Sequence, residues 1–234
     1  MANYVLIHGS FQGGWIWQPT VERLRQAGHT VYARTMDGCA ERQRGLRVGI
    51  TATTMAKEVV DLLFYEDLED VILVGTSSGG IIISKAAELA REIIRHLAYI
   101  DALAPQPGET VADIVIRGPN PEPYEETELA AGPSREGMSA RLFADLEPKL
   151  KKWALHRATL HPKGASAANL DKFWAQNWLA AVIYCTGSLN PSEAHQRRTK
   201  EKLHAYWHAI DAGHYPMLSH SDKTARLLME EISR

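Results

Sequence analysis

Short runs of apolar, β-branched residues alternate along the chain with longer amphipathic stretches. The runs predict six strands, at 4–9, 30–35, 71–75, 97–103, 181–187 and 206–213. Helices are predicted between them: 18–28 has Pro19 early and Gly28 at its end, 53–66 repeats apolar residues on one face, and a last helix is predicted at 223–234. This alternation is typical of α/β proteins, with a mostly parallel, doubly wound sheet covered by helices on both faces.

The alternation stops between Leu103 and Ala181. A crossover between parallel strands needs only about a dozen residues, so the segment 105–180 is predicted to be an insertion. It begins rich in Pro and acidic residues and then carries aromatic residues on helical-looking stretches. We expect a mainly helical cap over the C-terminal edge of the sheet, with 1–104 and 181–234 forming the core of a single domain.

Composition narrows the class of protein. Hydrophobic residues make up 45% of the 234 residues and charged residues 23%, which argues against a disordered or membrane protein. A net charge of −2 gives no field for nucleic acid or anionic lipid, so neither partner is expected, while a homodimer is left open.

The termini and cysteines set further expectations. The N-terminus lacks the features of a secretory signal and no apolar run approaches the roughly 18 residues of a membrane span, so a cytoplasmic location is expected. Cys39 and Cys185 are expected to be reduced and inert. His204 and His208 run into a predicted strand rather than along a helix, so we expect no metal site, and no motif calls for a cofactor.

The stretch Gly-Thr-Ser-Ser-Gly follows the third predicted strand. Small residues two positions before and after a serine are what a nucleophile elbow requires, because the strand turns sharply into a helix there. Gly75 and Gly79 flank Ser77 in this way, whereas Ser78 would have Thr76 at one of those positions. Ser77 is therefore the candidate nucleophile. The alternatives are a turn with a helix N-cap and a phosphate-binding loop.

Two backbone amides are candidates for an oxyanion hole. The amide of Ser78 would open the helix after the nucleophile, where the helix dipole favours negative charge. The loop after the first strand is the expected source of the second donor, and Ser10 is placed there. His8, just before that loop, is expected to be a hydrogen-bonded structural residue.

A serine nucleophile needs a base, and histidine titrates in the right range. His214 lies just beyond the last predicted strand, so its loop leads to the sheet edge on which Ser77 is expected. It also follows the expected chain order of serine, acid and histidine. The alternative is an ordinary histidine in a surface loop.

Four stretches together resemble the α/β-hydrolase superfamily. They are YVLIHGSFQGGWIW, VILVGTSSGG, LAYIDALAPQPGE and DAGHYPMLSH. The chain is most similar to the branch that holds plant methylesterases, hydroxynitrile lyases and small bacterial esterases. The resemblance implies an α/β-hydrolase fold and a serine, histidine and acid machinery, with Ser77, His214 and the amides of Ser10 and Ser78 in the corresponding roles.

The acid departs from that pattern. Most of the branch has an aspartate after the penultimate strand, where this chain has Asn190. Some relatives, certain haloalkane dehalogenases among them, look similar in taking the acid from the strand next to the nucleophile, where Asp101 lies. Asp101 is the preferred candidate, because an ionised partner stabilises imidazolium. Asn190, Glu193 and the absence of an acid remain alternatives.

The predicted reaction is hydrolysis of a small to medium carboxylic ester or lactone through an acyl-enzyme. Lyases of this branch resemble the chain at the elbow, but they carry a lysine after the histidine, where this chain has Tyr215. A lyase, a cofactor-free oxygenase and a catalytically silent ligand receptor stay as alternatives. Aromatic residues of the cap, with Trp15 and Trp17, suggest a partly apolar pocket, unless they form the core of the cap. The charged stretch 193–202 is predicted to be a solvated helix face.

Overall fold

The central sheet contains six parallel strands. The structure is a computed structural model and describes residues 1–116 and 124–230. Its strands are β1 Asn3–Ile7, β2 Thr30–Tyr32, β3 Val71–Ser77, β4 Ile94–Ala102, β5 Tyr124–Glu126, β6 Ala130–Pro133, β7 His161–Pro162, β8 Ala180–Cys185 and β9 Tyr206–Ile210. The large sheet has the order β2-β1-β3-β4-β8-β9, and every pairing in it is parallel. The six strands of the predicted sheet are confirmed.

Helices cover both faces of this sheet, as predicted. They are α1 Gln18–Gln26, α2 Ala52–Tyr65, α3 Gly79–Leu89, α4 Val111–Ile114, α5 Arg135–Gly137, α6 Pro148–Leu155, α7 Asp171–Trp174, α8 Glu193–Leu203, α9 Pro216–Ser219 and α10 Ser221–Glu230. The helices α2, α3 and α8 pack on one face, and α1 and α10 pack on the other. The final helix was predicted to reach position 234, and its last four positions lie outside the described residues.

The strand β1 illustrates how the two cores form. Val5 and Ile7 belong to the apolar cluster beneath α2 and α3, while Tyr4 and Leu6 belong to the cluster beneath α1 and α10. All four side chains are buried, because successive residues of a strand point to opposite faces and both faces are covered. A continuous apolar run in the sequence therefore marks a central strand of this sheet.

Polar side chains fix where two of the covering helices begin. Thr51 caps α2: its hydroxyl accepts from the Thr54 amide at 3.1 Å, and the Thr54 hydroxyl accepts from the Thr51 amide at 2.8 Å. Ser192 caps α8 by accepting from the amide of His195 at 3.3 Å. The Ser192 cap fixes the start of α8, whose first two turns bury His195, Gln196 and Thr199.

The segment 105–180 lies between β4 and β8. Short helices contribute much of its regular structure, and β5, β6 and β7 form a small antiparallel sheet that the sequence analysis did not predict. Strands of two to four residues are too short to show an alternating pattern. Positions 117–123 of this segment, including part of its acidic stretch, lie outside the described residues.

Across the two described ranges, every helix is too short or too polar to pass through a lipid bilayer.

Candidate active site

Ser77 lies at the corner where β3 turns into α3. It is the last residue of β3 and has φ of 52°, in the left-handed region that a serine rarely adopts. The corner is crowded: a Cβ on Gly75 would lie 2.8 Å from the Gly79 carbonyl oxygen. A Cβ on Gly79 would lie 2.7 Å from the His8 carbonyl oxygen. Ser77 thus has the strained backbone and the small neighbours that a nucleophile elbow needs.

Ser78 and Ser10 lie beside this corner. Ser78 is the N-cap of α3, so its amide is at the positive end of the helix dipole. The hydroxyl oxygens of Ser10 and Ser78 are 2.8 Å apart, and both residues line the same cavity as Ser77. A Cβ on Gly9 would lie 2.4 Å from the Cβ of Ser77, so only glycine lets the Ser10 loop approach this closely. The structure therefore brings both candidate oxyanion donors to the serine.

His8 holds that loop in place. The Met36 amide donates to Nε2 of His8 at 3.0 Å, which leaves the ring proton on Nδ1. Nδ1 then donates to the Gly9 carbonyl oxygen at 2.7 Å. Burial lowers the pKa of His8 to about 4, so the ring is neutral at physiological pH. His8 occupies the structural, hydrogen-bonded place expected from the sequence.

Asp101 and His214 form a buried pair. Asp101 Oδ2 lies 2.5 Å from His214 Nδ1, and the two side chains are 0% and 6% exposed. Asp101 lies near the end of β4 with φ of 45°, and His214 lies in the loop after β9. A carboxylate at this place fixes the ring proton on Nδ1 and leaves Nε2 free to accept a proton. His214 lines the cavity that Ser77 also lines.

The second carboxylate oxygen of Asp101 also has a partner. Gln196, a fully buried residue of α8, donates from Nε2 to Asp101 Oδ1 at 3.3 Å. Burial raises the pKa of Asp101, whereas the His214 ring, the Ser188 hydroxyl and the Cys185 amide lower it by stabilising the ionised form. Both oxygens of the carboxylate are therefore held in place.

The alternative acids have other partners. The side-chain amide of Asn190 accepts from the Ile116 amide at 2.7 Å and donates to the Ile116 carbonyl oxygen at 3.0 Å. Glu193 forms an exposed ion pair with Arg197 at 2.6 Å. Asn190 still lines the cavity, but the structure brings Asp101 to the imidazole.

A cavity of about 750 Å³ lies in front of Ser77 and His214. This volume is in the range of sites that bind small molecules. Its walls are mostly apolar and come from both the sheet edge and the segment 105–180. They include Phe11, Leu103, Val111, Val115, Pro133 and Leu142.

Most of the large aromatic residues lie away from the cavity lining. Among the described residues, the Phe, Tyr and Trp side chains that line the cavity are Phe11 and Tyr124. Trp17 is fully buried in the core, and Trp15 packs edge-on against Trp153 with ring centroids 5.3 Å apart. These positions fit the alternative given from the sequence, that such aromatic residues pack as core, and other side chains make the pocket apolar.

The sequence analysis missed Gln196. The stretch 193–202 was predicted to be a solvated helix face, yet α8 buries His195, Gln196 and Thr199. These residues lie at helical spacing, but they are polar, so no apolar periodicity marks the buried face. A polar set at positions i, i+1 and i+4 beside an otherwise charged face is the only signal that the sequence offers.

The described chain contains potential metal ligands and two cysteines. Within residues 1–116 and 124–230, no group of three or more His, Cys, Asp or Glu side chains could hold a metal ion. Cys39 and Cys185 are both buried and are not joined to each other, and burial raises the pKa of each thiol, that of Cys39 to about 12. Thiols held in this way are poor nucleophiles.

Comparison with known families agrees with this geometry. Residues 4–227 match the profile described as the alpha/beta hydrolase family. The chain belongs to the alpha/beta hydrolase family. The family and fold predicted from the sequence are thus confirmed.

This alpha/beta hydrolase is similar to several curated proteins. It is 38% identical over 122 residues to a carbendazim hydrolyzing esterase from Nocardioides sp., a match that covers 52% of this chain and 50% of that protein. It is 33% identical over 104 residues to an alpha-hydroxynitrile lyase from Arabidopsis thaliana, covering 44% of this chain and 40% of the lyase. The chain thus matches about half or less of the length of these relatives.

Solved structures show the same fold along the whole chain of this alpha/beta hydrolase. An extracellular alpha/beta-hydrolase from a Paenibacillus species aligns with a TM-score of 0.79 at 22% identity and covers 100% of both chains. A pyrethroid hydrolase from Sphingobium faniae aligns with a TM-score of 0.82 at 19% identity, covering 98% of this chain and 96% of that one. At these identities the likeness establishes the fold.

Proposed function

We propose that this alpha/beta hydrolase cleaves small to medium carboxylic esters or lactones through an acyl-enzyme formed on Ser77. The observation that carries the proposal is the 2.5 Å contact between Asp101 and His214, on the cavity that the strained Ser77 also lines. A buried carboxylate on Nδ1 of a histidine is the arrangement that makes the other ring nitrogen a base.

Acylation uses the site as follows. His214 Nε2 takes the proton of the Ser77 hydroxyl while its oxygen attacks the ester carbonyl carbon. The carbonyl oxygen becomes an oxyanion, and the amides of Ser10 and Ser78 stabilise it. The imidazolium then gives its proton to the leaving alcohol as the carbon–oxygen bond to that alcohol breaks.

Deacylation repeats the same steps with water. His214 takes a proton from water, the hydroxide attacks the acyl carbon, and the proton returns to Ser77 as the acid leaves. Asp101 stabilises the imidazolium in both halves, and Gln196 holds Asp101 in the orientation that faces His214. No step needs a cofactor or a metal.

Names of the relatives favour ester cleavage. Three similar proteins are named as esterases. They are the carbendazim hydrolyzing esterase, polyneuridine aldehyde esterase from Rauvolfia serpentina and methyl jasmonate esterase 1 from Vitis vinifera. Because a hydroxynitrile lyase is also similar to the chain, cleavage of a cyanohydrin is a second candidate function. Tyr215, which follows the histidine, is fully buried and accepts from the Gln12 amide, so it offers the cavity no charged group for such a reaction.

Hydrolysis of 4-nitrophenyl acetate and butyrate tests the proposal. We expect Ser77→Ala and His214→Ala each to lower kcat by about 10³-fold or more. Ser219→Ala is the matched control, because Ser219 lies outside the cavity at the end of α9. A fluorophosphonate probe should add its mass to the wild-type and Ser219→Ala proteins and leave Ser77→Ala unlabelled.

Each alternative gives a different result. A silent receptor would hydrolyse neither ester and would take up no probe. A lyase would release cyanide and aldehyde from a cyanohydrin faster than it hydrolyses either ester. Unchanged ester turnover in Ser77→Ala would rule out the proposed nucleophile.

A further inference from the structure

The lysine and arginine side chains of the cavity wall give it positive charge. Arg141 and Lys163 line it, and none of the described lining residues is an aspartate or glutamate. The rest of the wall is mostly apolar, so a cation is the strongest polar feature there apart from the serine and histidine. A ligand that fills this cavity therefore meets positive charge.

Arg141 is available for a ligand. It lies in the π-helical turn Met138–Leu142, is exposed, and has no ion-pair or hydrogen-bond partner within residues 1–116 and 124–230. Lys163 is paired with Glu126, but both side chains are partly exposed, at 37% and 66%. Exposed ion pairs of this kind are weak because water screens the charges, so a ligand carboxylate can compete with Glu126.

The same part of the chain is basic beyond the cavity. Positions 135–163 hold seven Lys and Arg residues and three acidic residues, although the whole chain has a net charge of −2. Arg135, Lys151 and Lys152 line a surface groove on this segment, close in sequence to Arg141. Positions 135–163 thus carry a net charge of +4 (seven minus three), and the remaining positions of the chain sum to −6.

We propose that the preferred substrates are esters that also carry an ionised carboxylate, such as half-esters of dicarboxylic acids, with that carboxylate bound by Arg141 and assisted by Lys163. This inference rests on the proposed ester hydrolysis. Arginine suits the role because its planar guanidinium binds a carboxylate through two hydrogen bonds. The apolar walls would take the carbon chain between the two ends.

Pairs of esters that differ in one terminal group, carboxylate or methyl, test this inference. Mono-4-nitrophenyl adipate and 4-nitrophenyl hexanoate share a six-carbon acyl chain that ends in carboxylate or methyl. 4-Carboxyphenyl butyrate and 4-methylphenyl butyrate place the same difference in the alcohol. We expect a higher kcat/KM for the anionic member of at least one pair, after subtraction of uncatalysed hydrolysis.

Single substitutions then show which side chain causes the preference for the anionic ester. Arg141→Gln should lower kcat/KM for the anionic ester by about three- to tenfold through KM, while the neutral ester changes by less than about twofold. Lys163→Gln should give a smaller loss with the same selectivity. Arg135→Gln is the control: it removes a charge from the groove and not from the cavity, so it should leave the preference intact.

The outcomes separate this inference from the proposed function. Serine-dependent turnover of neutral esters with no anionic preference, or equal losses for both esters in Arg141→Gln, would overturn the inference and leave the esterase standing. If no ester is turned over, calorimetry can still test the preference for anionic esters, by measuring how tightly each member of a pair binds to the Ser77→Ala protein. The inference is supported if the anionic ester binds more tightly than the neutral one and this difference shrinks in the double variant Ser77→Ala, Arg141→Gln. Equal binding of the two esters to the Ser77→Ala protein refutes it.

Discussion

Asp101 and His214 are 113 positions apart in the chain, and their side chains meet at 2.5 Å. β4 carries the first and the loop after β9 carries the second, with β8 as the one strand between them in the sheet order. Parallel strands end at a common edge, so an acid at the end of β4 and a histidine after β9 reach the same point. An acid on the strand next to the nucleophile strand can therefore reach the histidine after β9.

The first prediction compares the two candidate acids. Asp101→Asn should lower kcat for 4-nitrophenyl butyrate by about 10³-fold or more, because the amide brings no charge to the imidazolium and can favour the wrong ring tautomer. Asn190→Ala should change kcat by less than about fivefold, since its amide is bonded to Ile116. Steady-state kinetics on both variants, with circular dichroism to check folding, measure this. The reverse order of losses would transfer the role to Asn190.

The second prediction concerns the serine next to the nucleophile. Ser78→Ala keeps the backbone amide that is proposed to bind the oxyanion and removes only the hydroxyl that contacts Ser10 at 2.8 Å. We expect kcat to fall by less than about fivefold. Labelling by a fluorophosphonate probe should persist. Loss of labelling in Ser78→Ala, with retention in Ser77→Ala, would exchange the roles of the two serines.

The third prediction isolates Gln196. Gln196→Leu removes the hydrogen bond to Asp101 Oδ1, so the carboxylate is held less firmly against His214. We expect kcat to fall by about tenfold with KM unchanged, because the effect acts on the base and not on substrate binding. The far-downfield proton resonance of the short Asp101–His214 hydrogen bond should shift or broaden in the same variant.

Thr199→Val is the control for Gln196→Leu. Thr199 is buried on the same helix and donates to the His195 carbonyl oxygen at 3.0 Å. Its loss should lower the free energy of unfolding and leave kcat and the downfield resonance unchanged. Equal effects of the two variants on kcat would mean that Gln196 acts only through the stability of α8.

The fourth prediction is a dependence of stability on pH. Burial lowers the pKa of His8, His96 and His195 to about 4, and that of His161 to about 3. Below about pH 6.5 the unfolded chain takes up protons at these rings and the folded chain does not. The free energy of unfolding should therefore fall as the pH drops from about 6.5 to about 4, by at most about 3 kcal/mol for each histidine.

His96 gives the sharpest test of that dependence. No described residue forms a hydrogen bond with either of its ring nitrogens, so His96→Leu removes a titrating group without breaking a bond. Urea unfolding at several pH values should show a slope lower by about 1.4 kcal/mol per pH unit between pH 6 and 4.5. An unaltered slope in His96→Leu would contradict the assignment.

Candidate site residues that lie in a recognisable local pattern could be named from the sequence. Ser77 follows an apolar strand and has glycines at fixed offsets, and Asp101 ends another strand, so the order of elements places both at one edge. Gln196 and Arg141 could not be found in this way, since their contacts arise from the packing of α8 and of the segment 105–180. The positions of the tryptophans could not be predicted for a related reason: composition shows that large aromatic groups are present and does not show which surface they cover.

Asn190 and Ile116 join the loop after β8 to the segment 105–180 beside the cavity. One side-chain amide meets both hydrogen-bonding groups of a single residue's backbone, at 2.7 and 3.0 Å, much as neighbouring strands meet. Both bonds depend on the amide group of Asn190. The loop after β8 is therefore tied to the segment 105–180 here through one side chain, and a substitution of Asn190 would remove the whole connection.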